Sequence, residues 1–348
     1  MPRVALVFPG QGSQKVGMGR AWAEASPAAR QALDEADAAL GLPLTRLCWE
    51  GPEEELNLTA NTQPALLAVS VAIYRALTAP EPPAGFAAPW PALPPPAVVA
   101  GHSLGEYSAL VAAGALGFGD ALRLVRRRGE LMQQAVPAGE GAMAALLGLD
   151  AAAVAAIARD AEAAVPGEVC AVANFNAPGQ TVLAGHAGAI ERAIALARER
   201  GVRKATRLAV SAPFHSPLMR PARLAMAELL ARTEIRDPRV PVVTNVDAAP
   251  ARTGEAARDA LVRQIDSPVR WVESVERMAR DGVEAFLEIG AGSVLTGLNR
   301  RIAAGAQAAA LAEPEQLRKL LASDPWTAAA TGQAAAPPAG PRPAAGGG

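Results

Sequence analysis

Ser103 sits in Gly101-His102-Ser103-Leu104-Gly105, a G-x-S-x-G spacing. An apolar stretch at 97–101 reads as a short strand leading into it, and residues 104–113 read as a helix leading out. A nucleophile elbow needs this setting. The flanking glycines let the chain reverse sharply with no Cβ clash. The serine then projects from the turn at a helix N-terminus, where unpaired amides and the positive end of the dipole favour a developing anion. The amide of Leu104, directly after the serine, is the expected oxyanion donor. An ordinary glycine-rich strand-to-helix turn would carry the same five residues, so the chemistry needs support from elsewhere in the chain.

A serine nucleophile needs a base. The chain has three histidines, His102, His186 and His215. His102 adjoins the serine and is expected to point another way from the turn. His186 lies in Ala184-Gly185-His186-Ala187 and reads as structural. His215 lies in Ala212-Pro213-Phe214-His215-Ser216-Pro217, a loop pinned by two prolines, and the chain order serine then histidine fits a nucleophile elbow. His215 is therefore the expected base. A third group should orient its ring. Asp237, Asp247, Asp259, Asp266, Glu288 and a backbone carbonyl all remain open.

Arg128 supplies the clue to the substrate. Residues 120–135 read as a helix, which turns about 100° per residue. Ala121, Val125 and Met132 then line one stripe, flanked by Leu124 and Leu131, and Arg128 falls at its centre. Arg126 falls on the opposite side and Arg127 at the edge. A guanidinium facing the core is costly unless paired. One reading is a clamp for a substrate carboxylate, which suits the planar fork of arginine donors. The other is an internal ion pair with Glu130 or Glu106. A serine hydrolase acting on plain acyl chains would share the elbow and the histidine but have no use for this charge.

These residues must be held by a fold. Residues 4–8 read as a buried strand, and 17–25, 27–40, 64–77 and 120–135 as helices. Such alternation predicts an α/β architecture around a mainly parallel sheet. The middle of the chain differs. Strands at 141–149, 169–174, 181–184 and 202–210 alternate with helices at 151–164, capped by Asp150, and 189–200, ended by Gly201. Asn176-Ala177-Pro178-Gly179 reads as the turn of a hairpin. This βαββαβ order is the ferredoxin-like arrangement. The expected organisation is a large catalytic domain from 1–138 and 209–321, with a small subdomain, 139–208, inserted in it. Residues 79–97, with eight prolines, read as a stiff loop. Residues 322–348, rich in Ala, Pro and Gly, read as a disordered tail.

Composition narrows the function classes. There are 33 basic and 34 acidic residues, a net charge of −1, which argues against a nucleic-acid or membrane-surface footprint. Cys48 and Cys170 form no CxxC pair, and with three histidines no metal centre is expected. The apolar run at 4–8 is shorter than the ~7–15 residues of a secretory h-region, and none reaches the ~20 of a membrane span. These features read as a soluble, cytoplasmic protein.

Several segments together resemble the malonyl-CoA:acyl-carrier-protein transacylases of fatty acid synthesis and the related acyltransferase domains of polyketide synthases. They are Phe8-Pro9-Gly10-Gln11-Gly12-Ser13-Gln14, Gly101 through Leu110, Arg127-Arg128-Gly129, Asn174 through Gln180, Pro213-Phe214-His215 and Leu261-Val262-Arg263-Gln264. The resemblance covers nearly all of 4–320. It implies an α/β-hydrolase-like large domain with a ferredoxin-like insert. It implies acylation of Ser103, with His215 as base and Arg128 on the malonyl carboxylate. The amides of Gln11 and Leu104 would form the oxyanion hole, and the carbonyl of Gln264 would orient the histidine in place of an acid. Phe214 resembles the version that favours malonyl over methylmalonyl. The implied substrate is malonyl-CoA, with no permanently bound cofactor, and the implied partner is holo acyl carrier protein. Carrier proteins are usually acidic, so the basic group Arg203, Lys204 and Arg207 is the expected docking point. A monomer is expected.

Overall fold

The computed structural model describes residues 2–86, 93–210 and 212–323. Ten strands are present among them: β1 (Val4–Phe8), β2 (Val98–Gly101), β3 (Gly141–Leu147), β4 (Cys170–Ala177), β5 (Gln180–His186), β6 (Lys204–Arg207), β7 (Val242–Val243), β8 (Pro250–Ala251), β9 (Ala285–Glu288) and β10 (Gln307–Ala310). They form two sheets. The larger runs β10-β9-β1-β2-β7-β8 and is parallel apart from the antiparallel β8. Its central strand β1 is buried at every residue. That is why it reads as an unbroken apolar run, as strands covered on both faces do.

The smaller sheet runs β4-β5-β3-β6 and is antiparallel throughout. Alternation along β3 divides its duties. Ala142, Ala144 and Leu146 pack with Ile157 of the helix Ala151–Ala163 and with Ile190 and Ile194 of the helix Ala187–Glu199. Met143, between them, joins the main core. One face thus builds the small sheet's own core and the other faces the large layer.

Three expectations need correction. The last strand of the small sheet is only Lys204–Arg207, because past Arg207 the chain keeps a single bond, Leu208 N to Met143 O, and leaves the ladder. The hairpin turn is tighter than expected: β4 continues through Ala177, leaving Pro178-Gly179 as the loop, with Gly179 at φ 70°. The helix read from residue 64 starts at Thr59 and runs to Thr78 with Pro64 inside it. Proline has no N–H to give the carbonyl four residues back. Here Arg126 Nη1 donates to that carbonyl, Ala60 O, at 3.2 Å. Of the proline-rich stretch, residues 87–92 lie outside the described residues, as does the tail from 324 onward. No helix among the described residues is long and apolar enough to cross a membrane.

The helix Thr59–Thr78 is buried almost all round and lies against the helix Phe118–Gln134. The two helices pass close at Gly129: a Cβ there would lie 2.7 Å from Thr59 O. Helix propensity alone would favour alanine by about 1 kcal/mol, but forced overpacking costs about 1–3 kcal/mol. Gly129→Ala is therefore expected to lower the melting temperature in a calorimetric scan, and a higher one would contradict this contact.

Candidate active site

Strand β2 ends against the helix Gly105–Ala112, and Ser103 lies between them at φ 53°. A left-handed serine is strained. The turn is also too tight for side chains on either flank. A Cβ at Gly101 would meet the Gly105 backbone at 1.9 Å, and one at Gly105 would meet Phe8 O at 2.2 Å.

His215 reaches Ser103 from the loop beyond β6, also in a left-handed conformation, φ 59°. Its Nε2 lies 2.7 Å from Ser103 Oγ, and its Nδ1 lies 2.9 Å from Gln264 O. A carbonyl only accepts, so Nδ1 carries the proton and Nε2 is left to accept from the serine hydroxyl. Burial, and after it the charge of Arg128, holds the imidazole pKa down at about 3. The ring is therefore neutral near pH 7, the state a base requires.

The five carboxylates left open at the sequence level are occupied elsewhere. Asp237 accepts from Gly254 N. Asp247 and Asp259 pair with Arg263, and Asp266 with Arg223. Glu288 caps the helix Val294–Ile302 through Leu295 N and Thr296 N.

Arg128 is 1% exposed. Its Nη2 donates to Ser103 Oγ at 3.1 Å and to Gln264 Oε1 at 2.9 Å, and Nη1 donates to Gln63 Oε1 at 2.8 Å. Neither proposed ion pair forms. Glu130 pairs with Arg126 and Arg127, and Glu106 is reached only through Gln264 Nε2, at 2.9 Å. Every acceptor that Arg128 touches is neutral. The cleft beside it is lined by Gln11, Leu104, Met132, Met143, Val210 and Phe214. The backbone N–H groups of Gln11 and Leu104 donate to no group among the described residues. Ser103 thus faces a neutral histidine and a buried guanidinium, beside two backbone amides without a partner among the described residues.

The model of the acyl transferase domain family matches residues 5–317. This chain belongs to that family. The acyltransferase is 50% identical over 321 residues to the malonyl CoA-acyl carrier protein transacylase of Escherichia coli K12, covering 92% of this chain and 99% of that one. It superposes with a TM-score of 0.85, at 47% identity, on an acyl carrier protein S-malonyltransferase from Vibrio cholerae, covering 91% and 99% of the two chains. It also matches a malonyl-transacylase solved in complex with a type II polyketide acyl-carrier protein, at 46% identity and a TM-score of 0.84, covering 92% and 99%.

The remaining sequence candidates divide. His102 points away from the serine and bonds Asn176 Oδ1 through Nε2 at 2.9 Å. His186 Nδ1 accepts from Val169 N. Arg203 and Lys204 are exposed on the edge of the small sheet, and Arg207, also exposed, pairs with Glu191. Among the described residues no cluster of His, Cys, Asp and Glu could hold a metal ion. The sequence alone did not reveal Gln63, Asn245 or the side chain of Gln264, and offered Glu106 only as an ion partner for Arg128, whereas it accepts from Gln264 Nε2. Gln63 carried a signal, being a polar residue directly before the apolar helical segment read from 64. Asn245 carried none, being 142 residues from the serine whose N–H it accepts.

A histidine of pKa about 6.5 would lose about 25-fold of its neutral form between pH 7 and pH 5. Held near 3, His215 stays neutral throughout that range. Fluorophosphonate labelling of Ser103 is therefore expected to keep its rate from pH 7 to pH 5. A fall of about 25-fold would show an unperturbed base.

Proposed function

We propose that this enzyme moves malonyl from malonyl-CoA to the phosphopantetheine thiol of holo acyl carrier protein through an ester on Ser103, supplying extender units for fatty acid synthesis. The observation that carries this reading is the Arg128 guanidinium 3.1 Å from Ser103 Oγ with no carboxylate partner among the described residues. A fork of charged donors beside a nucleophile selects an acyl group that ends in an anion. The relatives named above are malonyl transferases, and one was solved with a carrier protein.

Ser103 Oγ attacks the thioester carbonyl while His215 Nε2 takes the hydroxyl proton. The oxyanion forms against the amides of Gln11 and Leu104. Collapse breaks the C–S bond, and His215 returns the proton to coenzyme A as it leaves as a thiol. The carrier thiol then attacks the ester, with the same groups acting in reverse order. The malonyl carboxylate also offsets the Arg128 charge. That charge depresses His215, so the bound substrate raises the proton affinity of its own base. Gln264 orients the ring through its carbonyl. Phe214, on the cleft wall beside His215, fills space that an α-methyl group would need and so favours malonyl over methylmalonyl.

The large domain is read as α/β-hydrolase-like, with a ferredoxin-like subdomain at 139–208. Its support is the small sheet's order, with the first of its four strands between the third and fourth. Arg203 and Lys204 receive the carrier. They border a hollow of about 640 Å³ shared with Gln180 and Arg301, and Lys204 is four residues before Leu208 on the cleft wall. At about 3.3 Å per strand residue that is about 13 Å, a span for an extended prosthetic arm. Ser103, His215, Arg128 and Gln264 meet within one chain, which supports reading the enzyme as a monomer. Two buried free cysteines suit a reducing cytoplasm.

Ser103→Ala should abolish acyl-enzyme formation from radiolabelled malonyl-CoA, and normal labelling would end this reading. Arg128→Ala should cut kcat/KM for malonyl transfer on the order of 100-fold, as expected for losing charge-assisted bonds, while acetyl-CoA gains in relative use; an unchanged preference would reject the clamp. Charge reversal at Arg203 and Lys204 should raise KM for carrier but not for malonyl-CoA. Equal rises would place docking elsewhere.

A further inference from the structure

The ladder between β2 and β7 pairs Val99 with Val242 and Ala100 with Val243, and then ends. Beyond that point β2 turns into the elbow, and although His102 N still donates to Phe8 O of β1, no strand remains on the β7 side. Asn245, two residues past β7, replaces the missing strand with its side chain. Its Nδ2 donates to Gly101 O at 2.7 Å, and its Oδ1 accepts from Ser103 N at 2.7 Å. One planar amide thus clasps both sides of the turn in which Ser103 is strained. Asn245 is 1% exposed and is itself held on three sides. Its N–H donates to Glu106 Oε2 at 2.9 Å, its carbonyl accepts from Arg270 N, and Gln264 Nε2 approaches its Oδ1 at 3.4 Å. The same Glu106 oxygen accepts from Gln264 Nε2, the residue that also holds Arg128 and His215.

We propose that Asn245, anchored by the Glu106 carboxylate, is a positioning residue for acyl transfer. Its amide fixes the left-handed Ser103 so that Oγ stays on the His215 line. By occupying the Ser103 N–H, it also leaves the amides of Gln11 and Leu104 as the donors that face an oxyanion. The inference rests on Ser103 being the nucleophile but not on which acyl group is transferred.

The test compares wild type with Asn245→Ala and with Asn245→Asp, which keeps the acceptor for Ser103 N but loses the donor to Gly101 O. Fold is checked by circular dichroism at the assay temperature. Misplacing a reacting group by about 1 Å can cost on the order of 100-fold. The folded alanine variant is expected to lose 10- to 100-fold in kcat, with KM for malonyl-CoA within about threefold because Arg128 is untouched. Fluorophosphonate labelling of Ser103 should fall by the same factor, and Asn245→Asp should fall in the same sense. Should alanine fail to fold, the aspartate variant decides. A merely structural role would lower the melting temperature while the folded fraction labels at the wild-type rate, which overturns the proposal. A rise in KM at unchanged kcat overturns it too. Labelling reads the serine whatever acyl group is natural, so failure of the malonyl reading would appear separately, as wild-type enzyme that labels but does not take malonyl.

Discussion

A buried guanidinium without a counter-ion is the constraint on which the rest of this molecule depends. Removing a cation from water is costly, and a dry interior rarely offsets that cost without an opposite charge. Arg128 is surrounded instead by the neutral oxygens of Gln63, Gln264 and Ser103. Its Nε has no hydrogen-bond partner at all among the described residues. The nearest carboxylate, Glu106, stands one residue removed, behind Gln264. Its burial pushes its pKa up to about 7, which weakens it as a fixed counter-charge. The site is thus left with positive potential directed at the serine, and on the proposed reading the substrate's carboxylate completes it.

The same charge sets the state of the histidine. His215 is buried beside Arg128 and is held far below the ordinary imidazole range. An imidazolium formed during acyl transfer would be costly in the empty site and less so once an anion lies on Arg128. On the proposed reading, substrate recognition and base strength become one electrostatic event. Gln264 makes this coupling mechanical as well, since its carbonyl holds the histidine while its side chain bonds Arg128, Ser103 O and Glu106.

The architecture serves that cluster from several directions. The parallel sheet brings β2 to the elbow. The helix Phe118–Gln134 delivers Arg128 from below, packed on the helix Thr59–Thr78 that carries Gln63. The small sheet lends Met143 and Asn174 to the cleft wall. Its β4 is tied to the large layer by the Asn174–Val269 bridge and by the His102–Asn176 bond. The cleft is therefore a boundary between two layers, each with its own core.

Whatever is local was legible in the sequence. The G-x-S-x-G turn, the period of the helix that buries Arg128, the cap at Asp150 and the βαββαβ order all follow from neighbours a few residues apart, where backbone sterics and periodicity act. Element ends were less legible. Pro64 reads as a helix start, but a distant arginine satisfies the carbonyl it strands, so the helix begins five residues earlier. Which acceptor orients His215, whether Arg128 meets a carboxylate, and that Asn245 completes the elbow were settled only in three dimensions. Those contacts join residues 49 to 142 positions apart. A hydrogen bond depends on where two groups lie in space, and spacing along the chain holds no record of that once the chain has folded back on itself.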